Sequence, residues 1–131
     1  MAHKIEKTDE EWGTELSAEQ FAVLRKGGTE RAFTGALWDD KRPGAYRCAG
    51  CDTVLFKSDV KYDSGSGWPS FWEAAEEGAV EIRPDHSGGM MREEAVCAAC
   101  GGHLGHRFGD GPKPTGQRYC INSAALKFES D

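Results

Sequence analysis

Several things are scarce in this 131-residue chain, and each scarcity excludes a class of protein. Residues 1–15 are charged and contain no apolar run of seven or more, so the sequence predicts neither a secretory leader nor a membrane span and reads as cytoplasmic. Basic residues are outnumbered, 16 Lys and Arg against 22 Asp and Glu, giving a net charge of −6. They are also scattered, and without a basic face nucleic acid is not expected as a partner. Large aliphatic residues are sparse, with 38% hydrophobic against 29% charged residues, so the core is modest and calls for a staple such as a metal. There is no low-complexity tract and no internal repeat apart from two cysteine pairs. The five cysteines cannot all pair, and in a reducing compartment an odd count points to metal ligation or a working thiol rather than a disulfide framework.

The length suits one cooperative unit burying roughly two-thirds of its unfolded surface. Residues 1–15 read as a solvated arm whose end Trp12 can pin, and 16–131 as a single domain. Ser17 with Gln20 forms a capping box and Leu16 with Phe21 a hydrophobic staple, predicting a helix over 18–26 that Gly27 and Gly28 end. After Pro43 and Gly44 the pattern becomes short strands between turn residues, the rhythm of an antiparallel β domain. Expected strands are 45–47, 53–57, 79–83, 90–96 and 117–122. The glycine-rich stretches 63–68 and 101–116 are expected as loops, where sites are commonly built.

Cys48 and Cys51 form one Cys-x-x-Cys, and Cys97 and Cys100 form another, each next to a candidate strand. Two such turns complete the tetrahedral shell of a closed structural zinc site. Gly50, Gly101 and Gly102 are read as relieving the backbone where the turns bend. The 45 residues between the pairs, 52 to 96, exceed the about 15–20 of a simple ribbon, so one Zn²⁺ is expected to clamp distant parts of the fold. A redox role for either pair lacks the βαβ context it needs.

Cys120 is then the cysteine left for chemistry. Period 2 puts Arg118, Cys120 and Asn122 on one face of a strand, where the guanidinium favours a thiolate and the amide can bind a ligand. A small buried cysteine is the plainer reading. His103 and His106 are expected in the loop after the second cysteine pair, as acid/base or hydrogen-bonding groups, although metal ligation or turn surface also suits them. Asp110, between two glycines, reads as a turn residue with a supporting role open to it. Trp68 and Phe71 follow flexible glycines. Clustered aromatics are usually core, but Trp68 can face a cleft and receive an apolar or sulfur-bearing group.

Taken in order, the two cysteine pairs, Tyr62–Phe71 (YDSGSGWPSF), His103–Phe108 (HLGHRF) and Gly116–Leu126 (GQRYCINSAAL) make the chain resemble the methionine sulfoxide reductase B family over 16–128. The resemblance implies a mainly β (α+β) fold of two antiparallel sheets with short N-terminal helices and a zinc remote from the active site. It also implies an oxidoreductase that repairs oxidised proteins under oxidative stress, converting methionine R-sulfoxide, free or in proteins, to methionine. Cys120 is its implied nucleophile and becomes a sulfenic acid. His103 and His106 serve the sulfoxide oxygen, Asn122 and Arg118 assist, and Trp68 and Phe71 bind substrate. Where many members carry a resolving cysteine this chain has Ser66, so thioredoxin or another thiol reductant is expected to regenerate Cys120 directly. No membrane partner is expected, and the chain is expected to act as a monomer. A zinc-knuckle binding module with an inert Cys120 and a thiol peroxidase or redox sensor are the competing classes.

Overall fold

The computed structural model describes residues 5–86, 89 and 91–130. Thr8 and Glu11 form a capping box that opens helix α1, Asp9–Glu15. Ser17 and Gln20 open α2, Ala18–Leu24, in the same way. Helix α2 stops two residues earlier than expected, with Arg25 as its C-cap, and the chain turns away where Gly27 takes a φ of +71° and the Gly28 N–H reaches back to the Ala22 carbonyl. The arm is therefore partly helical, and Trp12 at 1% exposure ties it to the core.

Among the described residues nine strands follow: β1 Gly44–Cys48, β2 Val54–Lys57, β3 Lys61–Tyr62, β4 Ser70–Phe71, β5 Val80–Asp85, β6 Arg92–Cys97, β7 His103–Phe108, β8 Arg118–Ile121 and β9 Leu126–Ser130. They form two antiparallel sheets, of order β2-β1-β9 and β3-β4-β8-β7-β6-β5, so the architecture is the expected mainly β one. The core gathers Tyr46, Leu55, Phe56, Phe71, Leu104 and Ile121, each essentially without exposure. Phe56 stacks on Phe71 at 4.3 Å, and Tyr46 meets the same ring edge-on at 5.1 Å. Such aromatic pairs add to the stabilisation from buried area.

Two expectations need correction. The stretch 101–116 is not all loop, since residues 103–108 are strand β7 near the middle of the larger sheet. Its glycine content misled: a Cβ on Gly105 would lie 2.0 Å from the Cys120 carbonyl oxygen, so glycine is there to let β7 approach β8 closely. The strand expected from 90 begins at Arg92, and Met90 lies outside the described residues. Strand β9, pairing with β1 from Gly44↔Ser130 to Cys48↔Leu126, was not anticipated.

Candidate active site and cysteine cluster

The four cysteine sulfurs come together. Cys48 leaves the end of β1 and Cys97 the end of β6, and all four sulfurs lie within 4.8 Å of one another. Sγ of Cys48 is 3.8 Å from that of Cys100, and Sγ of Cys51 is 3.5 Å from that of Cys97. A tetrahedral metal with bonds of about 2.3 Å needs sulfurs about 3.8 Å apart, so the donor set and its spacing fit zinc. Hydrogen bonding among the thiols pushes Cys48 and Cys97 above the ordinary thiol range and Cys51 and Cys100 below it. Such a group shares protons that a cation would displace.

The glycines here act differently from expectation. Only Gly101 takes a positive φ, +76°. Gly50 instead leaves room for the Trp12 ring and Gly102 for Leu24. The first turn bends at Asp52, φ +70°. The cluster is thus packed against both helices, and the Ile5 N–H adds a bond to the Ala99 carbonyl.

Cys120 lies in β8, paired with Ser70 of β4 on one side and His106 of β7 on the other. Its face opens on a cavity of about 390 Å³ whose lining includes Ser66, Trp68, Arg92, His106, Arg118 and Asn122. Of the residues expected at the site, the fold therefore brings Cys120, His106, Arg118, Asn122 and Trp68 to one place. His103 lies behind His106, ring centroids 5.6 Å apart, and is buried. Phe71 is not at the cavity: it neighbours Tyr119 rather than Cys120 in register and packs into the core, because alternation sends its side chain to the opposite face.

The supporting contacts were not legible in the sequence. His106 Nε2 is 2.7 Å from Asp85 Oδ2 and His103 Nδ1 is 2.6 Å from Glu94 Oε2, so each imidazole is oriented by a carboxylate. The segment around Glu30 closes another side. Its carbonyl accepts the Trp68 indole N–H at 3.0 Å, and its N–H donates to Asn122 Oδ1 at 2.9 Å. Asn122 Nδ2 donates to the Leu104 carbonyl, so this amide holds β7, β8 and the Glu30 segment in mutual position. Only chain-distant pairing of this kind could reveal those roles.

Arg118 donates to Asp110 through Nε at 2.9 Å and lies over the Phe108 ring at 4.4 Å. The acid draws off part of the field expected to favour a thiolate. Burial outweighs what remains, and the Cys120 thiol sits above its usual range even though Ser66 and Arg118 pull it down. The depressed pKa expected from Arg118 alone is thus reversed in the resting protein, because desolvation penalises the charged form.

The SelR domain family model matches residues 16–130. The peptide methionine sulfoxide reductase MsrB of Leptospira interrogans is 56% identical over 131 residues, spanning all of both chains. The chain belongs to the methionine sulfoxide reductase B family. Proteins of the same name from Thiobacillus denitrificans and Bradyrhizobium diazoefficiens are each 59% identical, covering 93% and 96% of this chain and 92% and 91% of their own. The chain is accordingly an oxidoreductase, a peptide-methionine (R)-S-oxide reductase. Among the described residues no helix is long and apolar enough to cross a membrane.

Proposed function

We propose that the chain reduces methionine R-sulfoxide with Cys120 as nucleophile, repairing oxidised proteins. The observation that carries this reading is that Cys120 opens onto a cavity shared with Trp68, His106, Arg118 and Asn122. The thiolate attacks the sulfoxide sulfur while the oxygen takes up a proton, since a sulfoxide oxygen is displaced only once protonated. Oxygen passes to Cys120, leaving a sulfenic acid and methionine. His106, on the cavity wall, is the proton donor, and His103 behind it supports the imidazole arrangement. The Trp68 ring takes the methyl group, Arg118 favours the thiolate during attack, and Asn122 keeps the pocket in shape.

Ser66 Oγ stands 3.8 Å from Cys120 Sγ and cannot form a disulfide, while the other four cysteines are gathered in the cluster. An external thiol therefore condenses with the sulfenic acid, releasing water, and a second thiol displaces the mixed disulfide to restore Cys120. Thioredoxin is the expected reductant, and the chain acts as a cytoplasmic monomer. The four cysteines hold one Zn²⁺, which supplies cross-linking of the fold rather than chemistry at Cys120. Residues 16–131 form the catalytic domain and 1–15 its arm, a division supported by the extent of the family match.

The test is an assay of racemic methionine sulfoxide with dithiothreitol on the parent and Cys120→Ser. The parent is expected to consume the R epimer alone and the variant neither. A parent inert towards both epimers, or a fully active variant, overturns the reading.

A further inference from the structure

A file of hydroxyls runs away from Cys120. Ser66 Oγ is 3.8 Å from Cys120 Sγ, Ser64 Oγ is 2.8 Å from Ser66 Oγ, and Ser70 Oγ is 2.6 Å from Ser64 Oγ. The file ends where Ser70 donates to the Trp68 carbonyl at 3.1 Å. Ser70 is fully buried, directly opposite Cys120 in the β4–β8 register. The loop carrying Ser64 and Ser66 is turned back by Asp63, whose Oδ1 accepts the Gly65 N–H at 2.9 Å.

A hydroxyl has one proton to give, so the far end sets the direction of the whole file. Ser70 gives its proton to the Trp68 carbonyl and must accept from Ser64. Ser64 must then accept from Ser66, and Ser66 from the Cys120 thiol, with the Trp68 N–H reaching the same Ser66 oxygen at 3.4 Å. Every donor points away from the sulfur, an arrangement that suits a thiol and leaves a thiolate without a donor from Ser66. For Ser66 to donate to a thiolate, all three hydroxyls must turn round. Ser70 must then leave the Trp68 carbonyl, because oxygens 2.6 Å apart cannot face each other lone pair to lone pair.

We propose that Ser64 and Ser70 are positioning residues for the nucleophile: the file Ser66–Ser64–Ser70, anchored on the Trp68 carbonyl, holds Cys120 as a thiol at rest and reverses as a unit when the thiolate forms. This deepens the reductase reading and rests on Cys120 being its nucleophile. A carbonyl is no acceptor for a net proton, so the file is not a proton exit. The thiol proton leaves through the cavity towards the sulfoxide oxygen and stays in the products, thiol and sulfoxide giving sulfenic acid and thioether. Burial is what raises the thiol of the resting protein, and the Ser66 hydrogen bond, open to the thiolate once the file has turned, opposes it. Other charged or titratable groups facing Cys120 are Arg118 with its partner Asp110, Tyr62 beside them, His106 from β7 and Arg92 from β6. All remain in the variants below.

The experiment follows iodoacetamide alkylation of Cys120 against pH in the full metal-loaded chain, with the Cys120 peptide resolved by mass spectrometry. Ser70→Ala removes the anchor that deprotonation has to break, so the titration midpoint is expected to fall by about half a unit. Ser66→Ala removes the only donor the file offers the thiolate, and the midpoint is expected to rise by a similar amount. Ser64→Ala leaves Ser66 free to turn to the sulfur and should move with Ser70→Ala; being half-buried, it replaces that variant if the buried change prevents folding. Shifts of Ser66→Ala and the other two in the same direction, or no shift, overturn the proposal. Alkylation reads the protonation of the sulfur whether or not sulfoxide is reduced. Opposed shifts in a protein inert to sulfoxide would therefore sink the reductase reading and leave the file standing.

Discussion

At the scale of single residues, the state of Cys120 is a contest between burial and a guanidinium. Burial pushes the thiol above its usual range, and Arg118 pulls the other way while sharing its charge with Asp110. Because burial raises the thiol, its alkylation rate should keep rising with pH past the range where an ordinary thiol levels off. Arg118→Ala removes a pull towards the thiolate, and the midpoint should move further up, with sulfoxide reduction at pH 7 falling about tenfold. Asp110→Asn releases the guanidinium and should move the midpoint down. A pH profile of Cys120 alkylation on both variants checks the pair, and equal directions would contradict this balance. The thiol and guanidinium were legible as neighbours from period 2 alone. The competing desolvation was not, because burial is set by β4 and β7, which lie far off in the chain.

At the scale of elements, β7 shows how a local reading fails. HLGHRF sits among turn residues, yet pairing with both β6 and β8 makes it a strand, and its glycine exists for the neighbour's carbonyl. Gly105→Ala should force β7 from β8 at the pair flanking Cys120. The expected cost is about 1–3 kcal/mol in urea unfolding, with sulfoxide reduction falling more than the unfolded fraction explains. Helix α1 makes the complementary case. Its capping box fits the sequence rules, but only the buried Trp12, against Gly50 of the cysteine cluster and under the Arg25 guanidinium, shows why it is retained. Trp12→Ala should destabilise by about 3–5 kcal/mol, read as a lowered Tm.

Over the whole molecule, the cysteine cluster joins the ends of β1 and β6, strands from different sheets, so a bound metal stabilises by tying together parts that a modest core holds only weakly. Chelation, or Cys97→Ser, should therefore lower Tm and broaden unfolding well before any direct effect at Cys120; a metal-free chain of unchanged Tm would contradict this. The sequence by itself determined the partition of the five cysteines, the capped helix at Ser17, and the antiparallel character of the chain, because each depends on spacings of two to four residues that act locally. Two things waited for tertiary structure. One was that His103 falls behind His106 and Phe71 turns into the core. The other was that Asp85, Glu94 and Glu30 orient the cavity and that hydroxyls on a loop and a two-residue strand line up behind the thiol. Those arrangements depend on register between strands remote in sequence, and register is settled by how the sheets bury their faces together.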